Sequence, residues 1–554
     1  MNDSPSLLAR GAAGFAALMM TAVGCRSPRT EAARPKLIVL LAIDQLRADL
    51  LDRYDSLFTG GFRRLRDKGI RFTNTTVDHA ITISHPGHVT LATGMVPARH
   101  GIVDAAFFEG PPGQRRLVDA LEDPQEKILG SPDEKGVSPW KILVPTFPEW
   151  MAKADSRSRE VALGSGRFSS LLHAGHLRGD VYWYSIPAGR YVTSSYYRRE
   201  YPDWLERFNR DALPRFQKES SPWEDQVSES GHSLAVPDAV LFEADHVHVA
   251  FPHRLEDVAP ADRIADPKAR DKALAWWIAT TPALDAATLA LARESVRALS
   301  LGQRESTDYL AIVASQVDDI GHWYGPFSLE QLDNLLRLDR EMGEFFTFLD
   351  EAVGEGKYLV ALSADHGAPN IPEVDRESGR YARRLSEKEI QAALDAADKM
   401  ASAAPGTPAE IAQRVADTLN RYDFVSDAMT PETLGLPGGS CDPYTQLFRN
   451  SFRVDRVPRF PFFSFSHEGQ GVGRYGVVVR LTRGTMPDFD PSVHGSPYEV
   501  DRNVPLLFMG TGVIPGLSDV RARTVDVAPT LARLAGIPVP PDLDGRPLIL
   551  TSGR

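Results

Sequence analysis

Six side chains of types that bind divalent metals lie in short motifs spread over the chain. They are three aspartates and three histidines: Asp44, Asp318, His322, Asp365, His366 and His494. Three carboxylates and three imidazoles make two triads of oxygen and nitrogen ligands, enough to hold two metal ions about 4 Å apart. Such a pair can clamp a phosphoryl group between an attacking hydroxyl and a leaving oxygen. A hydroxyl suited to the attack, Ser84, lies in the segment Ile-Thr-Ile-Ser-His-Pro-Gly-His.

The sequence around Ser84 predicts the start of a helix. Pro86 favours a first helical turn, so Ser84 would lie at a helix N-terminus, where the dipole and free N–H groups favour an anion. A metal beside the hydroxyl would lower its pKa and make it a nucleophile. Two alternatives stay open: Ser84 is an ordinary N-cap, or Thr82 is the reactive hydroxyl. His85 and His88 are interpreted as structural residues.

The spacing of the remaining ligands also suits a metal site. Asp318 and His322 are four residues apart, so a helical turn or a tight loop would bring both to one side. A carboxylate paired with an imidazole suits zinc. Asp319 is the alternative ligand, and a surface ion pair is the alternative role. His494, in His-Gly-Ser-Pro, is the weakest element, because a single loop histidine is usually solvated.

The elements that carry these residues predict an α/β fold with a mostly parallel central sheet. Asp44 ends a continuous apolar run, and the pair Asp365-His366 ends another, before Gly367 allows a sharp turn. Ser328–Val353 has helical spacing with a capping box at Ser328 and Gln331. In such folds ligands lie at the carboxyl ends of the strands. The apolar runs are Lys36–Ile43, Tyr309–Ser315, Tyr358–Ala364, Tyr475–Leu481 and Val504–Met509.

Three stretches do not follow this alternation of strands and helices. Residues 105–145 are typical of loops, while residues at about 185–300 and 370–470 mix aromatic residues, prolines and helix formers. We interpret the last two as cap insertions that cover the site. The predicted catalytic domain, with these insertions, spans residues 36–554.

The N-terminus is typical of an exported bacterial protein. Residues 1–25 predict a signal peptide, because Gly11–Gly24 is apolar but too short to span a bilayer. Ala22-Val23-Gly24-Cys25 resembles a lipoprotein cleavage box, which would leave a lipid on Cys25; a plain cleaved signal and an uncleaved anchor are the alternatives. Residues 26–35 would form a tether. The expected location is the periplasm or a bacterial membrane surface, with membrane contact only through that lipid.

The composition of the chain indicates which classes of molecule it can bind. The chain has 554 residues, 42% hydrophobic and 25% charged, with a net charge of −12 at pH 7. That charge argues against nucleic-acid binding, which needs clustered Lys and Arg. It does not argue against a small phosphorylated substrate, because such a substrate would respond to the local electric field of the metals. Apart from Cys25 the sequence has one cysteine, Cys441, so the mature chain has no internal disulfide framework.

Taken together, the motifs resemble the alkaline phosphatase superfamily, nearest to secreted alkaline phosphatases with a threonine nucleophile. The chain is also similar to nucleotide pyrophosphatase/phosphodiesterases. The resemblance runs from about Lys36 to the C-terminus. It rests on the ordered segments Asp44–Arg47, Gly60–Phe62, Ser84–His88, Thr93-Gly94, His100–Ile102, Ala174–His176, Val192–Tyr197, Asp318–His322, Ala364–Gly367 and His494–Tyr498.

The resemblance implies an alkaline-phosphatase-like fold and a phosphoric-ester hydrolase with two Zn²⁺ ions or other divalent metals. Its two implied metal triads are Asp318, His322 and His494, and Asp44, Asp365 and His366. It implies that Ser84 attacks phosphorus to form a phosphoserine, which is then hydrolysed. A sulfatase is disfavoured because His88 stands where its motif needs arginine. A catalytically inactive metal- or phosphate-binding protein is the alternative outside enzymes.

Several residues depart from the pattern of that superfamily. The asparagine that contacts the phosphoryl group would fall at Ala105 or Asp104, and the Lys-x-Arg pair at Gly166 and Phe168, with Arg167 between them as a substitute substrate-binding residue. Lost donors weaken the hold on a monoester dianion by on the order of 2–4 kcal/mol each. This favours a phosphodiesterase, whereas overall similarity favours a monoesterase, and the preference stays open.

Overall fold

The computed structural model describes residues 34–243, 247–259, 265–435, 442–461 and 471–550. The predicted signal peptide with Cys25, residues 26–33 of the predicted tether, and Cys441 lie outside the described residues. Within the described residues, none of the helices combines the length and the apolar character needed to cross a bilayer.

Among the described residues, a nine-stranded mixed sheet forms the centre of the fold. Leu37–Ile43 is buried throughout and pairs in parallel with Asp308–Ala314 on one side and Tyr358–Ser363 on the other. This agrees with the continuous apolar runs, which are typical of strands covered on both faces. The predicted α/β class with a mostly parallel sheet is confirmed. The strands lie in the order Arg190–Val192, Asp180–Ser185, Glu160–Gly164, Asp308–Ala314, Leu37–Ile43, Tyr358–Ser363, Leu506–Gly510, Gly69–Phe72 and Gly516–Ser518.

Helices cover both faces of this sheet, and the alternation of side chains along the central strand shows it. Leu37, Val39 and Leu41 pack into one apolar cluster, whereas Ile38 and Leu40 pack into another. The first cluster includes helices Ala48–Arg53, Gly61–Lys68, Ala283–Leu299 and Leu329–Leu349. The second includes helices Ser84–Thr93, Phe147–Ala154, Arg167–Ala174 and Val527–Ala535.

The long predicted helix after Ser328 is present, with one difference at its start. It spans Leu329–Leu349 and continues as a wider turn over Asp350–Gly354. The Ser328 hydroxyl accepts the backbone N–H of Gln331 at 3.0 Å. The Gln331 side chain donates instead to the Val317 carbonyl at 2.6 Å, so the predicted capping box is only half formed.

Two expectations about local structure are wrong. The apolar run Tyr475–Leu481 forms a strand only from Val478, and that strand pairs with Val425–Met429 outside the central sheet. A short apolar run looks the same in sequence whether it joins a large sheet or a small one. Residues 105–145 are not simply a loop, because they contain short strands at Ala106–Glu109, Arg116–Asp119, Glu122–Lys127 and Lys135–Val137.

The two segments predicted as insertions differ in where they pack. Residues 185–300 supply the edge strand Arg190–Val192 and the helix Ala283–Leu299, which packs on the central core. Residues 370–470 contribute helices Glu387–Ala401 and Pro408–Leu419 to a separate apolar cluster. Other helices are Pro97–His100, Asp203–Arg207, Leu213–Glu219, Glu229–His232, Leu255–Val258, Pro267–Trp277, Gln316–Tyr324, Pro372–Glu377, Pro431–Gly435, Pro443–Ser451 and Glu499–Arg502.

Candidate active site

Three neighbouring strands bring the predicted ligands to one edge of the sheet. Asp44 directly follows Leu37–Ile43, and Asp365 comes two residues after Tyr358–Ser363. Asp318 lies on the helix Gln316–Tyr324, which follows the third strand. Because these strands are parallel, their carboxyl ends meet at the same edge. The local sequence therefore places three aspartates around one point.

Asp318, His322 and His494 lie together as one triad. Oδ1 of Asp318 is 3.4 Å from Nε2 of His322 and 3.4 Å from Nε2 of His494. The two Nε2 atoms are 3.1 Å apart. Asp318 and His322 share one side of a helical turn, so the helical form of the spacing is the one found. The alternative ligand, Asp319, has an exposed side chain.

Asp44, Asp365 and His366 lie together as the other triad, and all three are buried. Nε2 of His366 is 3.5 Å from Oδ1 of Asp44 and 3.2 Å from Oδ2 of Asp365. His366 is also close to the first triad. One of its ring nitrogens lies within 4.8 Å of a carboxylate oxygen of Asp318 and of a ring nitrogen of His494. The two triads therefore form one continuous cluster.

All three histidines of the cluster are oriented in the same way. Nδ1 of His322 is 2.6 Å from the Ser492 carbonyl oxygen. Nδ1 of His494 is 2.8 Å from the Thr82 carbonyl oxygen, and Nδ1 of His366 is 3.1 Å from that of Gly367. A carbonyl only accepts, so each Nδ1 carries a hydrogen and each Nε2 atom faces the cluster. This is the orientation that protein metal ligands have.

The charge balance of the cluster calls for a cation. Burial raises the pKa of Asp44 and of Asp365 well above the usual range, and neighbouring carboxylates raise both further. Oδ2 of each of these aspartates is buried without a hydrogen-bond partner among the described residues. Burial by itself lowers the pKa of His322, yet the charge of Asp318 outweighs it and raises that pKa to about 10. Unpaired buried carboxylates are costly unless positive charge joins them, so these residues fit a pair of divalent metals.

Ser84 lies beside the Asp44 triad, as the first residue of the helix Ser84–Thr93. Its hydroxyl donates to Oδ1 of Asp44 at 3.4 Å and is 3.3 Å from Nε2 of His366. The N-cap of this helix is Ile83, so Ser84 is not the N-cap. The alternative hydroxyl, on Thr82, is buried and donates to the Ser496 carbonyl at 2.8 Å.

Arg167 is the first residue of the helix Arg167–Ala174, which packs against the helix Ser84–Thr93. Its guanidinium is 3.4 Å from Oδ2 of Asp119, and its side chain is 41% exposed. The ring of the next residue, Phe168, packs on His85 with centroids 5.2 Å apart. The position expected for an arginine in the superfamily pattern is therefore an aromatic ring against His85, the residue after Ser84.

The candidate asparagine positions offer no free donor. The Asp104 carboxylate is buried and accepts the backbone N–H groups of Ala105 at 2.6 Å and of Arg459 and Phe460 at 2.7 Å each. Ala105 packs against an apolar cluster. Neither residue takes over the role of the missing amide.

Two residues of the site have roles that the sequence did not predict. His88, interpreted as structural, places Nε2 3.5 Å from Oδ2 of Asp44 and 3.6 Å from Oδ2 of Asp365. Its spacing of four from Ser84 was the available signal, because it puts both on one face of a helix. Gln45 contacts an aspartate of each triad, and no local pattern indicated that.

Close packing explains two glycines of the site. A side chain at Gly87 would place Cβ 2.7 Å from Cβ and from the carbonyl oxygen of Asp365. Gly367 was expected to permit a sharp turn, but its φ is not positive. Its Cβ would instead lie 2.6 Å from the Val500 carbonyl oxygen, so the lack of a side chain is what matters there.

The sequence matches the family described as type I phosphodiesterase / nucleotide pyrophosphatase over residues 38–439. The chain belongs to this family. It is also similar over its length to alkaline phosphatase PhoV of Synechococcus elongatus, with 30% identity covering 93% of this chain and 92% of PhoV. Alkaline phosphatase PafA of Elizabethkingia meningoseptica is 29% identical over 94% of this chain and 95% of PafA.

Solved structures agree with this membership of the phosphodiesterase/pyrophosphatase family. The crystal structure of wild-type PafA superposes with a TM-score of 0.81 at 25% identity and covers 94% of this chain and 99% of PafA. The crystal structure of a PafA variant superposes with a TM-score of 0.80 at 26% identity and covers 93% of this chain and 98% of the variant. In that variant serine replaces a threonine, and alanine replaces an asparagine, a lysine and an arginine. The protein is therefore a phosphoric-ester hydrolase with an alkaline-phosphatase-like fold, as the motifs predicted.

Proposed function

We propose that this enzyme hydrolyses phosphoric esters through a phosphoserine at Ser84, with two zinc ions held by the two triads. One ion would bind to Asp318, His322 and His494, and the other to Asp44, Asp365 and His366. When bound, such ions act as Lewis acids that lower the pKa of a nearby hydroxyl and neutralise the phosphoryl oxygens.

The observation that carries the proposal is the position of the Ser84 hydroxyl. Its oxygen lies 3.4 Å from Oδ1 of Asp44 and 3.3 Å from Nε2 of His366, so it is next to one triad. The ring of His366 stacks on that of His494, which belongs to the other triad. The Ser84 oxygen bonds to phosphorus as the bond to the leaving oxygen breaks. Water then bonds to phosphorus, and the bond to Ser84 breaks. The helix start at Ser84 directs N–H groups toward the phosphoryl oxygens.

Quenching the enzyme with acid during turnover tests this mechanism, because it would preserve a phosphoserine for peptide mapping. We expect phosphate on Ser84 and about two zinc ions per chain by elemental analysis. Zinc without any phosphoserine or turnover would instead indicate an inactive metal-binding protein. Phosphate on Thr82 would move the nucleophile by two residues.

A preference for phosphodiesters is the second proposal, and the aromatic ring of Phe168 against His85 favours it. A monoester dianion needs cationic donors, yet Phe168 and Gly166 offer none and Arg167 shares its charge with Asp119. A diester carries one charge fewer and has a second organic group, which an aromatic ring accommodates. Because each missing donor weakens binding of the dianion by on the order of 2–4 kcal/mol, the monoester loses more.

Comparing kcat/KM on p-nitrophenyl phosphate and bis-p-nitrophenyl phosphate tests this preference. The wild type should favour the diester. The double variant Gly166→Lys with Phe168→Arg should raise the monoester-to-diester ratio by at least about tenfold. Phe168→Leu, which stays apolar, is the matched control. A wild type that favours the monoester would contradict the proposal and leave the Ser84 mechanism intact.

A further inference from the structure

Gln45, the residue directly after Asp44, has an unusual backbone conformation. Its φ is +63°, and besides glycines only Ser300 shares a positive φ among the described residues. This region is unfavourable for a side chain of this type, and such strain persists where the surroundings enforce it. The backbone hydrogen bond from Leu46 N–H to the Ile43 carbonyl closes the turn that holds it, at 3.3 Å.

The strained turn lets Gln45 contact one aspartate from each triad. Its backbone N–H donates to Oδ1 of Asp365 at 3.2 Å. Its side-chain amide donates from Nε2 to Oδ1 of Asp318 at 2.7 Å. Both bonds are therefore made from one turn, which directly follows Asp44.

The surrounding helix leaves room for this amide. Gly321 lies between Asp318 and His322, and a Cβ at this position would be 2.1 Å from Oε1 of Gln45. Gln45 is buried, with 2% of its surface exposed. The Gln45 side chain is therefore confined against the helix that supplies Asp318, with its donor end on the carboxylate.

We propose that Gln45 is a positioning residue that fixes Asp318 and Asp365 together and so sets the two triads relative to each other. The inference rests on the metal assignment of the proposed function. An amide suits the position because it donates a hydrogen bond without adding charge. A lysine there would neutralise Asp318 and compete with a metal, and a glutamate would repel it.

The test is to load the metal-free protein with zinc alone and measure zinc per chain against increasing chelator. Gln45→Met keeps the volume and removes the donor to Asp318, while the backbone N–H to Asp365 remains. We expect one of the two zinc ions to bind about 10–100-fold more weakly and the other to be unchanged. Gln217→Met is the control, because the amide of Gln217 bonds to Tyr184 and Gly189 away from the site.

A second variant covers the case in which Gln45→Met does not fold. Gln45→Asn tolerates a positive φ but is one methylene too short to reach Asp318, so it should show the same selective loss. A His494→Ala background lacks one ligand of the Asp318 triad and should hold only the other zinc. In that background, Gln45→Met should not weaken the remaining zinc further.

Equal binding of both ions in Gln45→Met and wild type would overturn the role of Gln45. So would parallel weakening of both ions with a lower Tm, because that pattern reflects general destabilisation. A wild-type protein that holds no stoichiometric zinc would instead overturn the metal assignment of the proposed function, which keeps the two failures distinct.

Discussion

The imidazole rings of His366 and His494 are stacked, with centroids 3.8 Å apart and planes inclined by 20°. Each ring belongs to a different triad, so this contact is the boundary between the two candidate metal sites. His366 offers a ring nitrogen within 4.8 Å of a carboxylate oxygen of Asp318 and one within 4.8 Å of a carboxylate oxygen of Asp44. The two sites therefore share a wall, and changes at the two histidines should not be equivalent.

We expect His494→Ala to lose about one zinc per chain and His366→Ala to lose both. The first removes a ligand from the edge of the cluster, whereas the second removes the ring that separates the two sites. Elemental analysis after dialysis gives the stoichiometry. Asp319→Ala is the matched control, because its exposed carboxylate adjoins Asp318 without joining the cluster. Loss of zinc from that control would show that the neighbouring aspartate is the ligand.

Ser84→Ala should lower kcat/KM by at least about 10³-fold while zinc per chain stays near the wild-type value. The substitution removes the attacking oxygen but leaves all six ligands, and the N-cap of the helix is Ile83 rather than Ser84. Initial rates on bis-p-nitrophenyl phosphate, with elemental analysis of the same sample, measure both effects. Ser84→Thr should retain turnover because it keeps a hydroxyl. An active Ser84→Ala with an inactive Thr82→Val would reassign the nucleophile.

The sequence indicated which side chains lie together better than it indicated the contacts between them. Apolar runs that end in Asp44 and Asp365 indicated a sheet edge, and the i, i+4 spacing of Asp318 and His322 indicated a helical face. The bonds from Gln45 join residues 273 and 320 positions away, and no periodicity reports such distances. The expectation that Tyr475–Leu481 joins the central sheet was wrong for the same reason. Its strand, Val478–Leu481, pairs with Val425–Met429, because strand partners are set by long-range packing.

Asp119→Asn should raise the monoester-to-diester ratio of kcat/KM by a few-fold. The substitution removes the charge that faces Arg167 at 3.4 Å, so the guanidinium becomes available to a dianion. Asparagine keeps an oxygen for the N–H groups of Leu121 and Glu122, which Oδ1 of Asp119 now accepts at 2.8 and 3.0 Å. Steady-state rates on the two nitrophenyl substrates measure the ratio.

The matched control for that change is Asp123→Asn, a carboxylate of the same region that bonds to Ser138 rather than Arg167. Arg167→Ala should move the ratio in the opposite direction, because a monoester depends more on a cation. Equal losses on both substrates in Arg167→Ala would place Arg167 outside the phosphoryl pocket.

Gly87→Ala should damage the site by moving the helix that carries Ser84. The added Cβ would lie 2.7 Å from two backbone-proximal atoms of Asp365, so either the helix or the aspartate must shift. Overpacking of this kind destabilises proteins by about 1–3 kcal/mol. Thermal unfolding should show the lower stability, and kcat should fall more than KM rises because Ser84 leaves its position beside Asp44. Gly435→Ala is the control, since a Cβ at Gly435 meets no atom of the described residues within 4 Å. A Gly87→Ala protein with wild-type Tm and kcat would mean that this close approach of helix and ligand is not required.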